Sequence, residues 1–94
     1  MSNVLVQLQT KDYAIWRPVF DELAGLRKSY GCLGGQLFRR TDQPNNVAVL
    51  YEWNSAENAR RYFESPELRE GMKRAGVQGP PEVVFLDTLE KLSA

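Results

Sequence analysis

The spacing of apolar residues changes repeatedly along this chain, and the order of those changes limits the fold more than any single motif. Val4, Val6 and Leu8 alternate with Asn3, Leu5, Gln7 and Gln9, the period of two expected of a strand. Trp16, Val19, Phe20, Leu23 and Leu26 then recur every three or four residues, as on one helical face. Gly31 ends that helix, and Gly34-Gly35 lets the chain turn into the next strand. Gln36 to Arg40 and Val47 to Trp53 read as strands, joined by TDQPNN, whose Asp, Pro and Asn favour a hairpin turn. Ser55 caps a short helix from Ala56 to Glu64, Ser65-Pro66 restarts it, and Gly76 closes it. GVQGPPE reads as an irregular crossing before a last strand, Val83 to Leu89.

The order is β-α-β-β-α-β, which predicts a ferredoxin-like α+β fold with a four-stranded antiparallel sheet. Right-handed crossovers place the helices on one face of that sheet. The whole chain, residues 1–94, is expected to form one domain. Both sheet faces carry apolar residues: Val47, Val49, Tyr51 and Trp53 against Ala48 and Leu50, and Val83, Phe85 and Leu89 against Val84 and Leu86. Helices can cover only one face. At about 25 cal/mol per Å², a sheet-sized apolar patch left bare would drive association. A homodimer pairing its open sheet faces is therefore expected, the two subunits together making an α/β barrel.

Local signals add detail. Asp12 is a candidate N-cap, but Pro18 falls beyond the first helical turn, where it removes a backbone bond. A tight turn around Asp12 to Trp16, or a kink, is expected before the main helix. Glu57–Arg61 and Glu70–Arg74 have the i,i+4 spacing of exposed helical ion pairs.

Composition narrows the function. Twelve basic residues balance twelve acidic ones, and neither sign runs in a block, so neither nucleic acid nor anionic membrane is an expected partner. MSNVLVQLQTKDY has no basic n-region and no apolar run long enough for a signal peptide. A lone cysteine, Cys32, fits a reducing cytoplasm and reads as a small buried hydrophobe. The sequence contains no histidine, which leaves no Ser/His/Asp set and makes a zinc site an unpromising reading. Arg39, Arg40, Arg60, Arg61 and Arg69 could meet an anion, but adjacent pairs diverge, so most are expected to be solvated.

GCLG after the first helix, VLYEWNS at the strand-to-cap junction and SPEL at the helix restart together resemble the antibiotic-biosynthesis-monooxygenase-like family of dimeric α/β barrels. DYAIWRPVFDE resembles small proteins grouped beside it and loosely labelled cyclases. The resemblance implies a cavity between sheet and helices. Some members oxidise polycyclic phenols there with molecular oxygen and no cofactor, while others degrade haem. This chain departs from the family at three histidine positions, where it has Tyr62, Glu67 and, by approximate alignment, Met72. Haem usually pairs a methionine ligand with histidine, so no cofactor is expected.

The site expectation is one pocket lined by Gln7, Trp16, Phe20, Tyr62, Phe63 and Met72, suited to a flat phenolic ligand. Tyr62 has two open readings: half-exposed beside a core Phe63, or a hydrogen-bond donor to a phenolic or carbonyl ligand. Gln7 has two as well, an amide satisfied by water or backbone, or one that orients a ligand. Two functions follow: a cofactor-independent monooxygenase or related enzyme on a small aromatic or polyketide-like compound, or a non-catalytic, stress-associated dimer that binds a small hydrophobic molecule.

Overall fold

In a computed structural model that describes residues 2–94, the elements run β1 (Ser2–Thr10), α1 (Tyr13–Glu22), α2 (Ala24–Tyr30), β2 (Cys32–Arg39), β3 (Asn46–Trp53), α3 (Ala56–Phe63), α4 (Pro66–Ala75) and β4 (Val77–Leu86). The strands form one sheet in the order β2-β3-β1-β4, with every neighbouring pair antiparallel. This is the ferredoxin-like α+β arrangement expected from the sequence.

Register decides which residues meet. Val6 of β1 lies between Val49 of β3 and Val83 of β4. Val4, Val6 and Leu8 therefore share a layer with Val47, Val49, Tyr51 and Trp53, and all of these are buried beneath the helices. Each fully buried aliphatic side chain is worth about 1.5–3 kcal/mol, so this layer supplies most of a thin core. The opposite face carries Leu5, Ala48, Leu50, Val84 and Leu86, with Phe38 at its β2 edge. No helix of the described residues covers that outward face, nor is any helix long and apolar enough to cross a membrane.

The capping residues act as their chemistry dictates. The carboxylate of Asp12 accepts from the backbone N–H of Ala14 at 2.9 Å. Ser55 and Ser65 accept from Asn58 and Leu68 at 3.1 and 3.2 Å. Gly31, at φ +108°, closes α2 in the left-handed region, where an L side chain would be strained and would also strike Asn54. Asn45 ties the β2–β3 hairpin to the first helix, because its side-chain oxygen accepts from the Tyr13 N–H at 3.0 Å.

Five local expectations are corrected. The helix begins at Tyr13 and runs through Pro18; the break comes later, at Leu23. Ala14, whose carbonyl loses its partner to the proline, is exposed and can be hydrated. β2 starts at Cys32 rather than Gln36. The GVQGPPE segment belongs to β4: Gln9 pairs with Gln78 but Gln7 with Glu82, so the chain bulges at Gly79, whose φ is +72°. An edge strand can carry Pro80 and Pro81 at such a bulge. Leu89 lies beyond β4 and is exposed. Finally, Arg61 pairs with Glu57 at 2.9 Å as expected, but Arg74 reaches across to Glu22 of α1 at 3.2 Å instead of pairing with Glu70.

Candidate functional site

α1 and α4 approach each other closely above the sheet because Gly71 has no side chain. A Cβ built there would stand 2.8 Å from Leu23 Cδ1. Beside this contact, over β1, β3 and β4, lies a cavity. The space open to the centre of a water-sized sphere is about 70 Å³.

Its walls are mostly apolar. Trp16 and Phe20 of α1 stack at 4.7 Å, with their planes 22° apart. Facing them, Tyr62 and Phe63 of α3 meet edge to face at 5.2 Å. Met72 and Leu68 of α4 close another side, and Val6, Val49, Tyr51 and Val83 form the floor. The structure thus brings together Trp16, Phe20, Tyr62, Phe63 and Met72, five of the six residues proposed from sequence.

Gln7 is the exception. Strand alternation points Val6 and Leu8 into the cavity, which turns Gln7 to the outward face beside Ala48 and Glu82. The reading of Tyr62 as half-exposed and Phe63 as core is likewise reversed. Ala59 and Tyr62, three residues apart, face the sheet, so Tyr62 is only 1 % exposed while Phe63 is partly buried at the rim. Trp53, fully buried beneath this cluster, packs on Tyr62 at 5.3 Å, and its indole N–H has no partner among the described residues. Cys32 is only partly buried, contrary to its expected role as a core hydrophobe.

The polar groups on the walls are two phenols and a cation that sequence reasoning passed over, Arg27 of α2. Its side chain is buried, with 8 % exposure. The guanidinium lies 4.0 Å over the Phe20 ring and 5.9 Å from the Tyr51 ring. Among the described residues no carboxylate stands within ion-pair distance; the arginines so paired are Arg17, Arg40, Arg61 and Arg74. Desolvating an unpaired cation costs several kcal/mol, of which a ring face returns about 2.

Burial pushes the Tyr51 phenol well above its ordinary range, against a smaller opposing pull from Arg27. Burial also raises Tyr62, and the neighbouring Arg27 guanidinium holds that rise back. At neutral pH the cavity therefore presents two protonated phenols and one positive charge, with no carboxylate, imidazole or thiol on its walls. Among the described residues no three of His, Cys, Asp or Glu cluster as a metal ion requires.

Arg27 also borders a second depression. A groove along β2 shares Phe20, Arg27, Val49 and Tyr51 with the cavity and is floored by Gly34 and Gly35. The sheet's β2 side thus offers an approach to the guanidinium from outside.

The fold recurs in proteins of the same description. An antibiotic biosynthesis monooxygenase of unstated source aligns over 96 % of this chain and 100 % of its own, at 21 % identity and a TM-score of 0.74. A protein from Bordetella bronchiseptica, described as a candidate antibiotic biosynthesis monooxygenase, aligns over 95 % of this chain and 97 % of its own, at 17 % identity and a TM-score of 0.80. SnoaB, a cofactor-independent oxygenase from Streptomyces nogalater, aligns over 99 % and 96 %, at 17 % identity and a TM-score of 0.76. No curated protein matches the chain by sequence. The sequence profile of the antibiotic biosynthesis monooxygenase family matches residues 4–74, or 71 of the 94, and the chain belongs to that family.

Proposed function

We propose that this protein is a cytoplasmic, homodimeric, cofactor-independent oxygenase acting on a small electron-rich aromatic or polyketide-like compound in the cavity between sheet and helices. The observation that carries the reading is the character of that cavity. It is partly enclosed, aromatic and almost without acid–base groups, which suits a substrate that brings its own reactivity toward oxygen. The substrate's activated ring CH₂ gives a proton to water, the carbanion bonds O₂ at carbon, and the peroxide takes a proton back from water to form a hydroperoxide that loses water to leave a carbonyl. CH₂ and O₂ become C=O and H₂O, so all four electrons come from substrate and no reductant is required. The walls would exclude bulk water, hold the ring flat and place donors at the developing oxyanion. Dimerisation is supported by the uncovered apolar face of the sheet, and a cytoplasmic setting by the single cysteine.

Thermal-shift screening of phenols, naphthols, anthrones and flavonoids, followed by oxygen uptake, tests this. A ligand whose binding is accompanied by stoichiometric oxygen consumption and carbonyl formation supports the enzyme. Tyr62→Phe should weaken that ligand by about 0.5–1.5 kcal/mol, the worth of one neutral hydrogen bond. Binding without oxygen consumption would sustain the second reading, a non-catalytic dimer that sequesters a small hydrophobic molecule. That reading is favoured by one specific feature: no wall residue can take up a proton at neutral pH.

A further inference from the structure

The contacts of Arg27 offset only part of the cost of its burial: two ring faces and a place in the last turn of α2. It has no carboxylate partner among the described residues, and its guanidinium stacks on the neutral ring of Phe20. It stands where the cavity meets the groove along β2, on a wall shared with Tyr62 and the ring of Tyr51. A buried cation of this kind lacks its counter-charge, and a ligand would supply it.

We propose that the cavity selects ligands with one negative charge, a carboxylate or phenolate oxygen on a flat apolar body, anchored by Arg27 with the Tyr62 hydroxyl as second donor. The planar guanidinium can present two N–H groups to such an oxyanion. The ring would lie between Trp16–Phe20 and Phe63, and the charged end would point toward β2, where Gly34 and Gly35 leave room for its approach. This rests on the aromatic-ligand reading above and adds the ligand's charge to it. Arg27 would be a binding and specificity residue for that ligand.

The test uses titration calorimetry at neutral pH with benzoate, its neutral isostere benzamide, and 4-nitrophenol, whose visible absorbance reports ionisation. In the wild-type protein benzoate should bind at least ten-fold more tightly than benzamide, and bound 4-nitrophenol should shift toward its phenolate spectrum. If only one of the two oxyanions shows this, that oxyanion is the recognised one. Arg27→Met puts an unbranched apolar side chain beside Phe20 and removes the charge. It should abolish the preference for the anion while the melting temperature stays level or rises, since a buried unpaired charge is exchanged for an apolar group. Arg27→Lys should recover part of the preference. Equal binding of benzoate and benzamide by the wild-type protein, or an anion preference that survives in Arg27→Met, would overturn the charge assignment and leave the aromatic cavity standing. Absence of binding by all three probes would overturn both.

Discussion

The outward face of the sheet gives the sharpest energetic test, and Phe38 is the residue to perturb. It lies opposite Ala48, which is opposite Gln7, so it projects from the face that no helix covers. The side chain is 47 % exposed in the single chain. A phenylalanine offers about 150–250 Å² for burial, so roughly 100 Å² of Phe38 remains to be covered by a partner. At about 25 cal/mol per Å² this is about 2.5 kcal/mol, of which truncation to alanine forfeits about 2. A two-fold dimer presents the same patch twice, so Phe38→Ala should cost about 4 kcal/mol of association, about a thousand-fold in Kd. The folded chain itself should tolerate the change, because a half-exposed residue on an edge strand contributes little to the core.

Sedimentation velocity over a dilution series measures this directly. Wild-type protein should sediment at twice the 10.7 kDa chain mass at micromolar concentration, and Phe38→Ala should dissociate under the same conditions. Ile15→Ala supplies the control. Ile15 is 53 % exposed on α1, on the other side of the sheet, and its truncation should leave the dimer intact. A monomeric wild-type protein would refute the sheet-to-sheet model outright. So would a Phe38→Ala dimer within ten-fold of wild type.

Two further outcomes test the packing around the cavity. Tyr51 and Tyr62 both have raised folded pKa values, so they should be missing from the tyrosinate absorbance that the unfolded chain develops near pH 10; the stability they contribute is complete below about pH 10 and declines as pH rises through the folded values, and equal absorbance in folded and denatured protein would contradict their burial. Gly71→Ala should be neutral to stabilising by up to about 1 kcal/mol in a urea titration, since its Cβ meets only the flexible end of Leu23 and alanine favours the helix, whereas Gly35→Ala should cost about 1–3 kcal/mol or more because its Cβ meets the Leu50 carbonyl and stands 3.0 Å from Tyr51 Cα; equal effects from the two would refute the contact assignment.

The parts of this fold that were legible in the sequence are those in which local chemistry and tertiary packing ask for the same thing. The alternation from Val4 to Leu8 and from Val47 to Trp53 places one set of residues under the helices whatever the strand's neighbours are. Ser55, Ser65, Gly31 and Gly76 end or begin helices by satisfying their own backbone groups. β4 was misread because its pairing comes from outside the segment. Pro80, Pro81 and Gly79 argue locally against a strand, yet the exposed edge of β1 supplies partners on both sides of the bulge. The same competition overrides the turn or kink expected around Asp12 to Trp16: burial of Trp16 and Val19 holds α1 on the sheet and outweighs the one hydrogen bond lost at Pro18.

The cavity was legible to the same extent and failed for the same kind of reason. Trp16, Phe20 and Met72 follow from helical stripes, whereas placing Gln7 there required the strand's polar side to face the helices. Val6 and Leu8 occupy that side, and a period of two admits no compromise. Arg27 was missed because arginine is read by default as surface charge. Its position argues otherwise: Trp16, Phe20, Leu23 and Arg27 are spaced four, three and four residues apart, a single stripe that survives the near-continuous passage from α1 to α2. A charge at the end of an apolar stripe must either be neutralised by a partner or await one. In this fold the partner positions are filled by Phe20, Tyr51 and Tyr62, none of which carries a charge at neutral pH. The counter-ion is therefore the component of the site that a sequence cannot list, because it belongs to the ligand.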